Sequence, residues 1–243
     1  DTFQSARKAG FTNINIDIMS ALPGQTYESY EDTLQKVIAL KPEHISAYSL
    51  IIEEGTPFYE RYGEGTLIES NVKNEVAQTM DYAPMYPLLP DEDVERKMYH
   101  KTKAILQKAG YNRYEISNYA KKGYKCLHNL TYWTGVEYLG LGIGAASYVK
   151  GYRFKNSPDM ESYIEYFTIG AGIRPPRFTK PEKEIFHSLH EEIQKLSLEE
   201  RMEEYMFLGL RLKKGVSISD FNKRFGKTME EVYGNVIDNL KKE

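Results

Sequence analysis

From Phe11 to Met19 isoleucines alternate with polar residues, Ile14, Ile16 and Ile18 falling between Asn13, Asn15 and Asp17. A period of two marks a half-buried strand. Leu22-Pro23-Gly24 breaks the run, and Thr26 or Ser29 can cap a helix beyond it. There Tyr30, Leu34, Val37 and Ile38 recur at i, i+4, i+7 and i+8, one apolar stripe of a helix that must stop before Pro42. A second strand is expected over His44 to Ile52. Strand, helix and strand in so short a stretch form a βαβ unit, so the two strands should be parallel neighbours. A short amphipathic helix (Phe3, Ala6, Arg7) precedes the unit.

Residues 59–90 are rich in turn formers (Gly63, Gly65, Pro84, Pro87, Pro90), with a weak helical pattern around Asn71 to Tyr82. Asp91 or Asp93 then opens a strong helix with Val94, Met98, Ile105 and Ala109 on one face, closed by Gly110. A strand is expected over Tyr111 to Ser117 and turns over 118–160. After Gly170 to Pro176 the pattern becomes helical. Leu198, Met202, Tyr205, Leu208 and Leu212 mark one helix, and Ile218, Phe221 and Phe225 a second, between Ser217 or Ser219 and Gly226. Met229, Val232, Val236 and Leu240 mark a third. Three helices with a tight turn before the middle one suggest a helix-turn-helix or winged-helix arrangement.

Composition narrows the class. The 243 residues are 41% hydrophobic and 28% charged, as in an ordinary soluble globular protein, and no apolar run approaches the length of a membrane span. A net charge of -3 argues against a nucleic-acid-binding surface. In the last helices Lys213, Lys214, Lys223, Arg224 and Lys227 are interleaved with glutamates, which makes DNA reading there a minor hypothesis. The single cysteine, Cys126, excludes a disulfide or a self-contained iron–sulfur cluster within this chain and fits a cytoplasmic location. Twenty tyrosines stand against one tryptophan. A lineage bias explains that, but so do half-buried clefts around flat or polar ligands. The chain enters at Asp1 straight into a helix, and two strands cannot complete a parallel sheet. The expectation is therefore a piece of a longer protein whose remaining strands lie upstream.

Several residues can carry chemistry. Asp17 is placed near a strand end, where its carboxylate either accepts from a ribose or amine or serves as a local cap. His128-Asn129-Leu130-Thr131-Tyr132-Trp133 concentrates imidazole, amide, phenol and indole in an expected loop. The imidazole can ligate a metal or haem iron and the rings can cover a flat macrocycle, or the block can simply anchor its loop. Gly140, Gly142 and Gly144 lack the spacing of a dinucleotide fingerprint and read as a close backbone approach to a ligand or another strand. His187 and His190, with Glu191 and Glu192, read as a solvated helix face rather than a metal pair.

Ordered blocks go further. Ala9-Gly-Phe-Thr-Asn-Ile-Asn-Ile-Asp-Ile-Met and Leu22-Pro-Gly-Gln-Thr26 open the series. Pro42-Glu-His-Ile-Ser46, Tyr48, Leu50, Glu53 and Thr56 come next, then Tyr114-Glu-Ile-Ser-Asn118, His128-Asn129 with Tyr132-Trp133, and Gly140-Leu-Gly-Ile-Gly-Ala145. Over essentially the whole chain they resemble the oxygen-independent coproporphyrinogen III oxidase-like radical S-adenosylmethionine family. The His-Asn-x-x-Tyr-Trp block is more similar to its haem-chaperone (HemW-like) branch than to the true oxidases. The resemblance implies an α/β fold: the last βα units of an incomplete (β/α) barrel over 1–58, a family-specific α+β region over 59–176, and a small winged-helix-like helical domain over 177–243. It implies S-adenosylmethionine contacts at Asp17 and at the backbone of Ile51 and Ala146, and haem contacts from His128, Asn129, Tyr132 and Trp133. Implied cofactors are S-adenosylmethionine, a [4Fe-4S] cluster and haem; implied partners are haem or a porphyrin and haem-accepting proteins. The three-cysteine loop that holds the family's cluster is absent from this sequence, so the chain alone is expected to be inactive as a radical enzyme. The alternative within the family is porphyrinogen decarboxylation.

Overall fold

The computed structural model describes residues 1–63, 86–161, 163–164 and 190–242. The expected helix over 71–82, the composition change over 170–176 and His187 lie outside these residues. The chain divides into two compact units, Asp1–Cys126 and Leu127–Glu243.

The first unit begins with α1 (Thr2–Lys8), β1 (Asn15–Ser20), α2 (Tyr27–Leu40) and β2 (His44–Ser49). It continues with α3 (Pro57–Tyr62), α4 (Glu92–Lys108), β3 (Asn112–Arg113) and β4 (Asn118–Ala120). The βαβ reading holds: β1 and β2 are parallel, with Asn15 beside His44 and Asp17 beside Ser46. Thr26 caps α2 through a reciprocal box with Ser29, and Lys41 ends the helix in the left-handed region at φ 60, just before Pro42. Asp91 caps α4 by accepting from the Val94 amide at 2.8 Å.

Two expectations are corrected here. The strand foreseen over Tyr111 to Ser117 survives only at Asn112–Arg113. The buried Glu115 carboxylate accepts from the Ser117 amide at 2.9 Å, a local bond that bends the backbone out of a ladder. The chain then returns as β4, antiparallel to both β2 and β3, giving the order β1-β2-β4-β3. In α4 the buried residues are Met98, Thr102 and Leu106, with Val94 and Ile105 only partly buried and Ala109 exposed. Thr102 is admitted to the core because its hydroxyl bonds to the Met98 carbonyl at 2.7 Å and to the Tyr30 phenol at 2.9 Å. One core joins Ile18, Tyr30, Leu34, Val37, Ile45, Met98, Leu106, Tyr111 and Tyr119. α2 and α4 therefore cover one face of the sheet, the face of the even-numbered β1 residues.

The second unit contains α5 (Leu127–Trp133), an antiparallel sheet β5 (Ala146–Val149), β6 (Tyr152–Asn156) and β7 (His190–Lys195), then α6 (Leu198–Gly209), α7 (Ile218–Phe225) and α8 (Met229–Leu240). The three terminal helices fall where their stripes placed them. Ser197, Ser217 and Thr228 cap them, Gly226 ends α7 at φ 66, and Met202, Phe221 and Met229 form their core. The helix read around His190 is not observed: His190, Glu191 and Glu192 begin β7. The His190 ring packs 4.4 Å from Phe154, and Glu192 pairs with Lys155 at 2.7 Å. Cross-strand pairing with β6 outweighs the helical spacing. The glycine stretch is a close backbone approach, as expected. A Cβ on Gly140 would stand 2.3 Å from the Ala146 carbonyl oxygen, and Gly142 adopts φ +105.

Candidate functional site

In the first unit the pleat sends Asn15, Asp17 and Met19 to the face opposite the helices. The parallel register sets His44, Ser46 and Tyr48 beside them, and β4 adds Asn118 opposite Ser46. The result is a polar face built from three strands.

Its groups are chained together. The Nδ1 of His44 lies 2.6 Å from Asn15 Oδ1, an acceptor, so this nitrogen carries the proton. Its Nε2 accepts from the Tyr114 hydroxyl at 2.9 Å, and the Tyr114 oxygen in turn accepts from the Cys126 amide at 3.2 Å. Burial lowers the pKa of His44, only partly opposed by Asp17 and Glu115, so the ring is held neutral. Burial likewise pushes the Tyr114 phenol up to about 12, keeping it a donor. Asn15, fixed by His44, donates from Nδ2 to Asp17 Oδ1 at 2.5 Å and to Ser46 Oγ at 3.1 Å. Asp17 itself is exposed, and Asn118 Oδ1 is buried without a donor among the described residues. The face thus offers oriented acceptors, suited to hydroxyl or ammonium groups of a ligand. Ile51 lies just beyond the end of β2 and is 79% exposed. Sequence reasoning marked Asp17 and Ile51 but missed the His44–Asn15 support. Its one signal was His44 two residues before Ser46 in a strand otherwise apolar toward the core.

In the second unit His128, Asn129, Tyr132 and Trp133 lie on α5, a helix where a loop was expected. Polar, β-branched and aromatic residues are weak helix formers, which hid the spacing. The helix is closed by its own bonds. The hydroxyls of Thr131 and Thr134 donate to the carbonyls of Leu127 and Leu130 at 2.9 and 2.7 Å, and Gly135 turns at φ 61. The block is then two i, i+4 pairs, His128 with Tyr132 and Asn129 with Trp133. His128 and Tyr132 meet edge to face at 4.9 Å, and His128 is exposed. Ala146 begins β5 and is exposed. It lies in this second unit, whereas Asp17 and Ile51 lie in the first.

Beside α5 is a cavity of about 480 Å³ whose wall includes Tyr132, Trp133, Tyr138, Tyr148 and Tyr205. His128 is not part of that wall. On its wall Arg153 makes a two-pronged pair with Glu204 at 2.6 and 2.9 Å, and this bond raises the arginine pKa. The tyrosine excess was the sequence signal for such a cleft; the arginines gave none.

Known proteins resemble the chain along the same lines. Residues 196–243 match the HemN C-terminal domain. Over 240 residues the chain is 37% identical to the heme chaperone HemW of Lactococcus lactis, covering 99% of this chain and 53% of that protein. It is 34% identical over 240 residues to heme chaperone HemW of Bacillus subtilis, covering 98% and 54%. The chain spans about half the length of these curated relatives. Among solved structures it resembles the Escherichia coli coproporphyrinogen III oxidase HemN, described as a radical SAM enzyme. The TM-score is 0.63 at 16% identity, over 98% of this chain and 49% of that one. This likeness establishes a shared mixed α/β fold. The resemblance carried by the ordered motifs is borne out along the whole chain.

Proposed function

We propose that this chain, similar over its whole length to proteins named HemW, is the haem-handling part of a radical S-adenosylmethionine haem chaperone. It binds haem and passes it to haem-accepting proteins. The observation that carries this reading is the 37% identity to a heme chaperone over 240 residues. The geometry of α5 supports it, with an exposed imidazole braced by a tyrosine ring four residues on. Haem is cargo here: His128 supplies an axial nitrogen, while Asn129, Tyr132 and Trp133 supply a polar edge and apolar cover. We place the work in the cytoplasm, without nucleic acid. Among the described residues no helix is long and apolar enough to cross a membrane.

S-adenosylmethionine fits the polar face of the first unit. Asp17, held by Asn15 and His44, suits the ribose hydroxyls, and the backbone at Ile51 adds a contact. When bound beside a reducing cluster, this group supplies a 5′-deoxyadenosyl radical. The cluster itself does not fit: one cysteine cannot supply its thiolates, and no acid–histidine–cysteine group among the described residues could hold a metal. In the same reading residues 1–58 are the last βα units of an incomplete barrel, 59–176 the family-specific region and 177–243 a winged-helix-like domain.

The fold shared with HemN favours a second reading, decarboxylation of coproporphyrinogen III. Absorbance titration of the chain with haem and, anaerobically, with coproporphyrinogen III separates the two. One haem bound per chain, with no preference for the porphyrinogen, supports the chaperone. Tight porphyrinogen binding without haem binding favours the oxidase.

A further inference from the structure

We infer that the cavity beside α5 is a binding site for the carboxylate side chains and ring face of a tetrapyrrole, reading its acidic edge independently of any iron. The inference rests on the haem reading above and assigns the ligand's acidic arms to arginines that no sequence motif marked.

Buried donors without acceptors make the first part of the case. The indole N–H of Trp133 and the Nε of Arg201 both belong to cavity-wall residues, and each is buried with no acceptor among the described residues. The Nε of Arg211 is also buried and unmatched, and its guanidinium stacks 4.4 Å from the centre of the Trp133 ring. A buried donor left unmatched is costly, so the two on the wall favour a ligand rich in acceptors.

Charge makes the second part. Both acids of the wall are engaged: Glu204 holds Arg153, and Glu137 accepts from the Lys150 amide at 2.6 Å. Arg201 and Arg224 make no ion pair among the described residues. Arg224 instead donates to the carbonyls of Thr134 and Gly135 at 2.9 and 3.2 Å, which fixes its guanidinium at the end of α5. Two guanidiniums without an ion pair among the described residues suit two carboxylates, whose planar geometry a guanidinium fork matches with two parallel bonds.

Shape makes the third. Tyr132, Trp133, Tyr205 and Phe225 contribute rings to the wall, and about 480 Å³ lies within the roughly 300–1,000 Å³ of small-molecule sites. Apolar faces with cations at the edge match a flat ring carrying acidic arms. Because His128 lies outside the wall, the cavity's selectivity is for the arms and the macrocycle, and axial ligation is a separate contact.

The test uses the whole chain and metal-free protoporphyrin IX, with quenching of Trp133, the sole tryptophan, as the readout. The diacid should bind at least tenfold more tightly than its dimethyl ester. Arg201→Met with Arg224→Met should remove most of that preference. His100→Ala, on the exposed side of α4, should not alter binding of the iron-free ring. Equal affinity of the unmodified chain for diacid and ester, or no quenching by either, overturns the inference without recourse to a variant. Diacid binding by a chain that fails to take haem would sink the chaperone reading while leaving this site standing.

Discussion

His44 and Tyr114 lie 70 residues apart in sequence, yet the imidazole Nε2 accepts from the phenol at 2.9 Å inside the first unit. With Asn15 on the other ring nitrogen, His44 is bonded at both ends in its neutral form. Burial holds its folded pKa below 6.5, so the unfolded chain takes up the proton first as pH falls. The stabilisation is complete above about 6.5 and is lost as pH drops through the folded value. Amide-exchange protection at Ile45 and Tyr119, corrected for intrinsic rates, should decline from pH 7.5 to 5.5. His44→Gln should flatten that decline, whereas parallel profiles would show that His44 does not carry it.

Glu43 governs a lower window. Burial works to raise its pKa, but the bond from Arg7, the Ile14 amide and the charges of Arg7 and Lys121 bring it below 4.5. Its contribution is present above that value and lost as pH falls through the lowered one. Arg7 approaches at 2.5 Å and the Ile14 amide at 3.1 Å, with the carboxylate side chain 12% exposed. Glu43→Ala should destabilise the first unit by about 1–3 kcal/mol in denaturant titration at neutral pH. Asp32→Ala breaks only the exposed Lys36 pair and should change stability by less than about 0.5 kcal/mol. Similar effects from both would remove the distinction drawn between them.

Two glycines should respond in opposite senses to alanine. At Gly140 the new Cβ meets Ala146 backbone at 2.3 Å, so the segment before β5 has to move. Gly140→Ala should lower the melting temperature of the second unit. Gly234 sits inside α8, where the nearest neighbour of a Cβ is the flexible Glu230 side chain at 3.4 Å. Gly234→Ala should raise stability by about 0.5–1 kcal/mol through helix propensity. A stable Gly140→Ala would mean that the approach to Ala146 is not tight.

Radical chemistry should be absent from the isolated chain. After anaerobic reconstitution with iron and sulfide, no 5′-deoxyadenosine should form, because Cys126 is the sole thiol. Turnover would show that ligands other than cysteine can hold an active cluster here.

Local signals made much of the fold legible. The alternation of Ile14, Ile16 and Ile18 and the stripe of Tyr30, Leu34 and Val37 were enough for the βαβ unit, because periodicity reports the buried face directly. A local bond defeated the same reading at Glu115, whose carboxylate bends the chain, and a distant partner did so at His190, where pairing with β6 overrides helical spacing. For the candidate sites, residue type singled out Asp17 and His128, which carry their chemistry alone. The supports do not announce themselves. His44 matters through Asn15, and Arg201 and Arg224 through a cavity assembled from segments far apart in sequence. No single window of the chain contains those relationships.

Haem titration of the chain and its His128→Ala variant, monitored in the Soret region, bears most directly on haem binding through α5. The parent should saturate at one haem with an imidazole-ligated spectrum. His128→Ala should lose about 10–100-fold in affinity and shift the band, as expected for losing a contact at a metal site. His100→Ala, on the exposed side of α4, should do neither. An unchanged affinity and spectrum for His128→Ala would place the iron ligand elsewhere and contradict the role given to α5.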